Sequence, residues 1–118
     1  MPATHEQATL RLEGRSMDKP DEAKMPPKAK VETLKMQGRT FTRFTFHPGF
    51  HWSKDVGPMM KTDACPLNHF TYQVSGQLRV RMKDGTEMTL KAGEAQVIPA
   101  GHDVWVVGNE PFVAVSID

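Results

Sequence analysis

Apolar positions along the chain fall in short alternating runs. Leu78, Val80 and Met82 occupy one face of an extended segment and Arg79, Arg81 and Lys83 the other, the period of a half-buried strand. Asp84-Gly85 then turns the chain back into residues 86–90, because Asp-Gly accommodates the positive backbone angles of a tight hairpin turn. Residues 31–36 and 40–46 read as another strand pair around Gln37-Gly38. Gly and Pro punctuate the rest at His47-Pro48-Gly49, Val56-Gly57-Pro58, Ser75-Gly76, Ala92-Gly93, Pro99-Ala100-Gly101 and Gly108-Asn109. The segments between these marks are short strands, as in all-β sandwiches and barrels. Beyond residue 30 no segment repeats apolar positions at helical spacing over several turns. Residues 1–30 are rich in charge and proline, with Lys19-Pro20-Asp21-Glu22 and Met25-Pro26-Pro27-Lys28 breaking regular structure. The expectation is a partly ordered arm over 1–30 and one all-β domain over 31–118.

Composition narrows the partners. A chain of 118 residues is the size of a single domain. Fifteen basic against fourteen acidic side chains give no field that recruits nucleic acid or an anionic membrane, so a small molecule is the expected partner. The longest apolar stretches are far short of the roughly 20 residues that cross a bilayer as a helix. The start, Met1-Pro2-Ala3-Thr4-His5-Glu6, lacks the basic and apolar regions of a secretory signal, and the lone cysteine, Cys65, has no internal disulfide partner. Both lead to the expectation of a cytoplasmic protein. Nucleophile elbows, phosphate loops, dinucleotide fingerprints and Cys-x-x-Cys pairs do not occur in the sequence.

The order of turns and strands resembles the cupin superfamily. Gly93, followed after residues 94–98 by Pro99-Ala100-Gly101, matches its second motif, in which proline fixes one backbone angle of a tight turn and glycine permits another. Gly57 and Gly76 fit the ends of its first motif, with His69 at the place of the family's glutamate and Cys65 and Asp63 at those of its paired histidines. The family's last ligand position is Val104 here, and His102 precedes it by two residues on the same strand face. The resemblance implies a double-stranded β-helix (jelly-roll) barrel and a metal set of Asp63, Cys65, His69 and His102. It also resembles a subgroup of uncharacterised short bacterial cupins, through the stretches from His47 to Ser53 and from Pro99 to Trp105.

Thiolate plus imidazole favours zinc, with iron or nickel as alternatives, over magnesium or calcium. The opposing view is that Cys65 is a small packing residue and Asp63 caps a turn. On a regular strand Cys65 and His69 have Cα atoms about 13 Å apart, which disfavours a thiol–imidazole nucleophile. The parity of His69 carries Thr71 and Gln73 to the interior and Phe70, Tyr72 and Val74 outside. Either the cavity is lined by polar groups and the aromatic face is covered, or a bulge reverses the parity. His51, Trp52 and Trp105 are candidates for a pocket mouth, the tryptophans otherwise being core. Arg43 either meets a ligand carboxylate or faces outward from an edge. The functional expectation is a homodimeric, small-molecule-binding cupin-type protein, the metal-dependent isomerase or dioxygenase being the alternative and a filled, ligand-free barrel a weaker one.

Overall fold

The computed structural model describes residues 10–118. Its strands are β1 (Glu22–Lys24), β2 (Ala29–Met36), β3 (Arg39–Phe46), β4 (His69–Ser75), β5 (Gln77–Met82), β6 (Glu87–Lys91), β7 (Ala95–Ile98), β8 (His102–Val107) and β9 (Phe112–Ile117). Two single-turn helices, α1 (Trp52–Asp55) and α2 (Gly57–Met60), lie between β3 and β4. All pairings are antiparallel, in a six-stranded sheet ordered β1-β2-β3-β9-β4-β7 and a three-stranded sheet ordered β6-β5-β8. The strands thus form two antiparallel sheets around one core, the all-β architecture expected. Leu78, Val80, Leu90, Val104 and Val106 from the small sheet and Ala29, Ile98, Phe112 and Ala114 from the large one bury in the same cluster.

Turn chemistry sets the registers. Gln37 and Gly38 both take positive φ, 47° and 86°, giving the doubly left-handed two-residue turn whose twist matches the strands it joins. This turn fixes the β2–β3 register and sets Glu32 opposite Arg43. At Asp84-Gly85 only the glycine is left-handed. The Met82 N–H donates to the Thr86 carbonyl, so that hairpin carries a longer loop than a two-residue Asp-Gly turn.

The arm is more regular than its prolines imply. β1 forms between the two proline-containing breaks and pairs with β2 at the edge of the large sheet. Further inward Arg43 donates from Nε to Glu32 Oε1 and from a terminal nitrogen to Asp18 Oδ1, each at 2.9 Å. Asp21 accepts from Arg15 and from the Lys35 backbone N–H. These contacts fasten residues 15–21 over the outer face of β2 and β3.

In β4 the alternation runs unbroken from His69 through Gln73. Thr71 and Gln73 are buried, while Phe70, Tyr72 and Val74 are 60 %, 50 % and 53 % exposed. The register irregularity lies later, between Gln73 and Ser75, so no bulge reverses the parity of Phe70 and Tyr72. Gln73, wholly buried, donates from Nε2 to the carbonyl of Gly76 at 2.8 Å and accepts at Oε1 from Gln96 Nε2 at 2.6 Å. A polar pair inside the core is tolerated because its hydrogen-bonding groups find partners there.

Candidate metal centre and cavity

The loop from Lys61 to Asn68 does not continue β4 downward as a strand. Cys65 makes an isolated bridge to His102: its N–H donates to the His102 carbonyl at 2.8 Å, and Gly101 N–H donates back to the Cys65 carbonyl at 2.7 Å. Asn68 Oδ1 accepts from Ala100 N–H at 2.8 Å. Gly101, with φ of 92°, lets the Pro99-Ala100-Gly101 turn present these groups, a conformation a side chain disfavours. The turn therefore docks on the loop and brings the starts of β4 and β8 together.

Three donor atoms converge there. The sulfur of Cys65 and one ring nitrogen each of His69 and His102 lie within 4.8 Å of one another, and Cys65 Sγ is 3.7 Å from His69 Nε2. The separation expected for a regular strand does not apply, because the chain bends between these two residues. The rings of His69 and His102 meet edge to face at 5.2 Å, and Phe44 supports His69 at 5.4 Å. His102 Nδ1 is hydrogen-bonded to the Pro99 carbonyl. A carbonyl only accepts, so Nδ1 carries the proton and Nε2 keeps its lone pair for a ligand.

Burial governs the charge of all three groups. It pushes the Cys65 thiol above its ordinary 9.0, partly offset by a backbone hydrogen bond at Leu67. It pushes His69 below 6.5, as does neighbouring His102. His102 is likewise lowered, chiefly by burial and against the bond to Pro99. At neutral pH the site is a neutral thiol facing two neutral imidazoles. The imidazoles are ready to coordinate, and the thiol requires a cation to displace its proton.

The donors open into a cavity of about 330 Å³ bounded by Phe44, Phe46, Phe50, Trp52, Leu78, Ile98, Val104 and Phe112 among others. Phe46 stacks on Phe50 at 4.3 Å and on Phe112 at 5.2 Å. Met60 and Leu67, both about half exposed, and Lys24 and Pro26 of the arm form part of its lining. Trp52 and Thr71 line this cavity; Val104 lies alongside His102, both buried and both facing inward.

Other expected residues lie elsewhere. Asp63 is exposed and lines a separate shallow depression with Ser53, Arg81 and Asp103; the chain before Cys65 is an irregular loop that carries it away from the thiol, so the cluster consists of Cys65, His69 and His102. Gln73 belongs to the buried amide pair and not to the cavity lining. Arg43 finds its carboxylates within the chain, Glu32 and Asp18, and so is not left for a ligand. Trp105 sits within β8 with the outward parity of Asp103, packing on His51 at 5.0 Å with the Arg81 guanidinium 5.8 Å from its ring. His51 Nε2 contacts Asp103 Oδ2 at 2.8 Å. His51 and Trp105 therefore form an outer cluster, and neither lines the cavity. Trp52 begins α1.

Sequence reasoning missed Glu32, Gln96 and Lys24. Glu32 was recoverable, because a two-residue turn at Gln37-Gly38 sets it opposite Arg43. No local pattern announces Gln96 or Lys24, whose roles depend on how distant strands meet.

No family model matches the sequence, and no curated protein is similar to it. Solved structures are. A protein of unknown function from Rhizobium leguminosarum superposes with a TM-score of 0.60 at 14 % identity, covering 92 % of this chain and 96 % of its own. A DUF1255 protein of unknown function from Acidithiobacillus ferrooxidans gives 0.59 at 15 %, covering 82 % and 87 %. A cupin-like protein from Thermotoga maritima gives 0.52 at 17 %, covering 76 % and 67 %. Likeness at this level of identity carries the fold alone, and the fold is cupin-like.

Proposed function

We propose that this cupin-like chain binds a small molecule in its cavity, with a divalent transition metal held by Cys65, His69 and His102. The observation that carries the reading is the convergence of one sulfur and two imidazole nitrogens at a cavity wall. The donor set fits such a metal. Tetrahedral zinc with ordinary Zn–S and Zn–N lengths separates its sulfur and nitrogen ligands by about 3.6 Å, against 3.7 Å between Cys65 Sγ and His69 Nε2. Zinc suits the thiolate best, and iron or nickel share the affinity for imidazole. When bound, the metal supplies Lewis acidity toward a ligand atom at the position three protein ligands leave open. The chain contributes the rest: the Pro99 carbonyl orients His102, the aromatic walls exclude water, and the Thr71 hydroxyl adds a neutral polar group.

A non-catalytic binding role is favoured by the cavity's chemistry. Once both histidines and the cysteine are ligands, the only other titratable residue lining the cavity among the described residues is Lys24, which is exposed. General acid–base turnover has little to draw on there. A metal-dependent isomerase or dioxygenase is the second reading, supported by the three-donor set, which would leave a tetrahedral metal a position for substrate. The same proposal makes the protein a homodimer, with a second copy covering Phe70, Tyr72, Val97 and Ile117 on the outer face of the large sheet, where contiguous apolar exposure favours association.

Elemental analysis after incubation with zinc tests the metal. Stoichiometric zinc is expected in the wild type and in His51→Gln, whose side chain lies in the outer cluster. Cys65→Ala and His69→Ala should weaken affinity at least about tenfold. A wild type that stays metal-free and unstabilised after zinc, iron or nickel would sink the proposal.

A further inference from the structure

The cavity has one polar pole and otherwise apolar walls. Cys65, His69 and His102 cluster together, and Thr71 follows His69 on the same face of β4. The body of the space is bounded by Phe46, Phe50, Trp52 and Phe112, whose rings include two stacked contacts. Among the described residues no acidic side chain lines it, and the one ammonium that does, Lys24, is exposed. The buried side-chain polar atoms among the described residues all have partners already. A ligand with polar groups along its length would lose water contacts and find few replacements. Each unpaired group would weaken binding by about tenfold.

We propose that the ligand is a small, largely apolar, flat molecule with one donor group, the donor meeting the Cys65–His69–His102 pole and the body lying among the aromatic side chains. The volume, about 330 Å³, is near that of eleven water molecules at about 30 Å³ each, which sets the ligand at on the order of a dozen non-hydrogen atoms. Flatness follows from the walls, since aromatic faces stack best on planar groups. Sugars, zwitterionic amino acids and nucleotides are disfavoured: the first has hydroxyls on every side, the second needs a carboxylate partner for its ammonium, and the third needs several cations. The inference rests on the cavity being a ligand site, and its test separates this from metal binding.

Two titrations decide it. Fluorobenzene, an apolar body without a donor, is followed by fluorine NMR on chelator-treated protein. Benzohydroxamate and acetohydroxamate, which share a metal-binding head and differ in the body, are titrated calorimetrically into protein exposed to zinc, with zinc content measured on the same sample. The expected result is saturable fluorobenzene uptake that glucose and glycine do not compete for, and benzohydroxamate binding at least tenfold tighter than acetohydroxamate. Reduced fluorobenzene uptake is expected in Leu67→Glu and Met60→Glu, which place charge at half-exposed lining positions. Fluorobenzene uptake without zinc retention supports the ligand class and refutes the metal site. Zinc retention with no fluorobenzene uptake and equal hydroxamate affinities overturns the ligand class and leaves the metal site standing.

Discussion

Replacing Gln73 by leucine should destabilise the protein through the groups it leaves behind. The substitution nearly conserves volume, so little cavity forms. It removes the acceptor of Gln96 Nε2 and the donor to the Gly76 carbonyl, contacts of 2.6 and 2.8 Å in the core. Longer contacts from the same amide to the Leu90 and Ser75 carbonyls, at 3.3 and 3.4 Å, go with them. Two orphaned buried groups cost about 1–3 kcal/mol each. Burial of the leucine methyls returns about 1 kcal/mol, leaving a net loss of about 3 kcal/mol. With an ordinary urea dependence this lowers the unfolding midpoint by about 1–3 M. The informative comparison is Gln73→Leu with Gln96→Leu in the same chain. The second change removes the orphaned donor, so the double variant should lose about 1–2 kcal/mol less than the sum of the single losses. Chemical denaturation of all four proteins, followed by tryptophan fluorescence, measures the coupling. Losses that add without coupling would refute the account of the buried amide pair.

Two further outcomes follow from features of the large sheet. The Arg43 guanidinium holds the Glu32 carboxyl below its ordinary value of 4.5, overcoming the opposite effect of burial. Its contribution to stability is therefore complete above about pH 4.5 and is lost as pH falls from there through the lowered folded value; Glu32→Gln should flatten the decline of the urea midpoint over that interval, and an unchanged slope would count against the pairing. Light scattering at micromolar concentration should find the proposed dimer in the wild type and monomers in Tyr72→Lys with Val97→Lys, the association constant falling at least about a hundredfold; a monomeric wild type would refute the dimer, and an unaltered dimer would move the interface elsewhere.

The legible part of the fold was carried by local rules. Alternation in residues 78–83 gave the faces of β5, and Gln37-Gly38 gave the β2–β3 turn. The Pro99-Ala100-Gly101 turn located the start of β8 and with it His102. The motif resemblance implied Cys65, His69 and His102, which cluster, and also Asp63, which lies apart because the chain before Cys65 is an irregular loop. The loop is stabilised by hydrogen bonds to the residue 100–102 segment, more than thirty residues away, and neither stretch announces the contact alone. The same limit hid β1. The prolines flanking it are accurate local signals, and a sheet edge within reach supplies partners for the residues between them. Arg43 illustrates a different limit: its need for a carboxylate was readable, while the choice between Glu32 and a ligand required the hairpin register to be carried through.

The three donor atoms come from both sheets and from the loop that precedes β4. His69 opens β4 in the large sheet, His102 opens β8 in the small one, and Cys65 belongs to the loop bridged to β8. A metal there would be a clasp across the two sheets, resisting their separation at that end. Its contribution would be largest to the lifetime of the folded chain, since the sheets could not part before a coordination bond broke. A chelator would then act first on the rate of unfolding, and the cavity's access and the protein's durability would be governed by the same atoms.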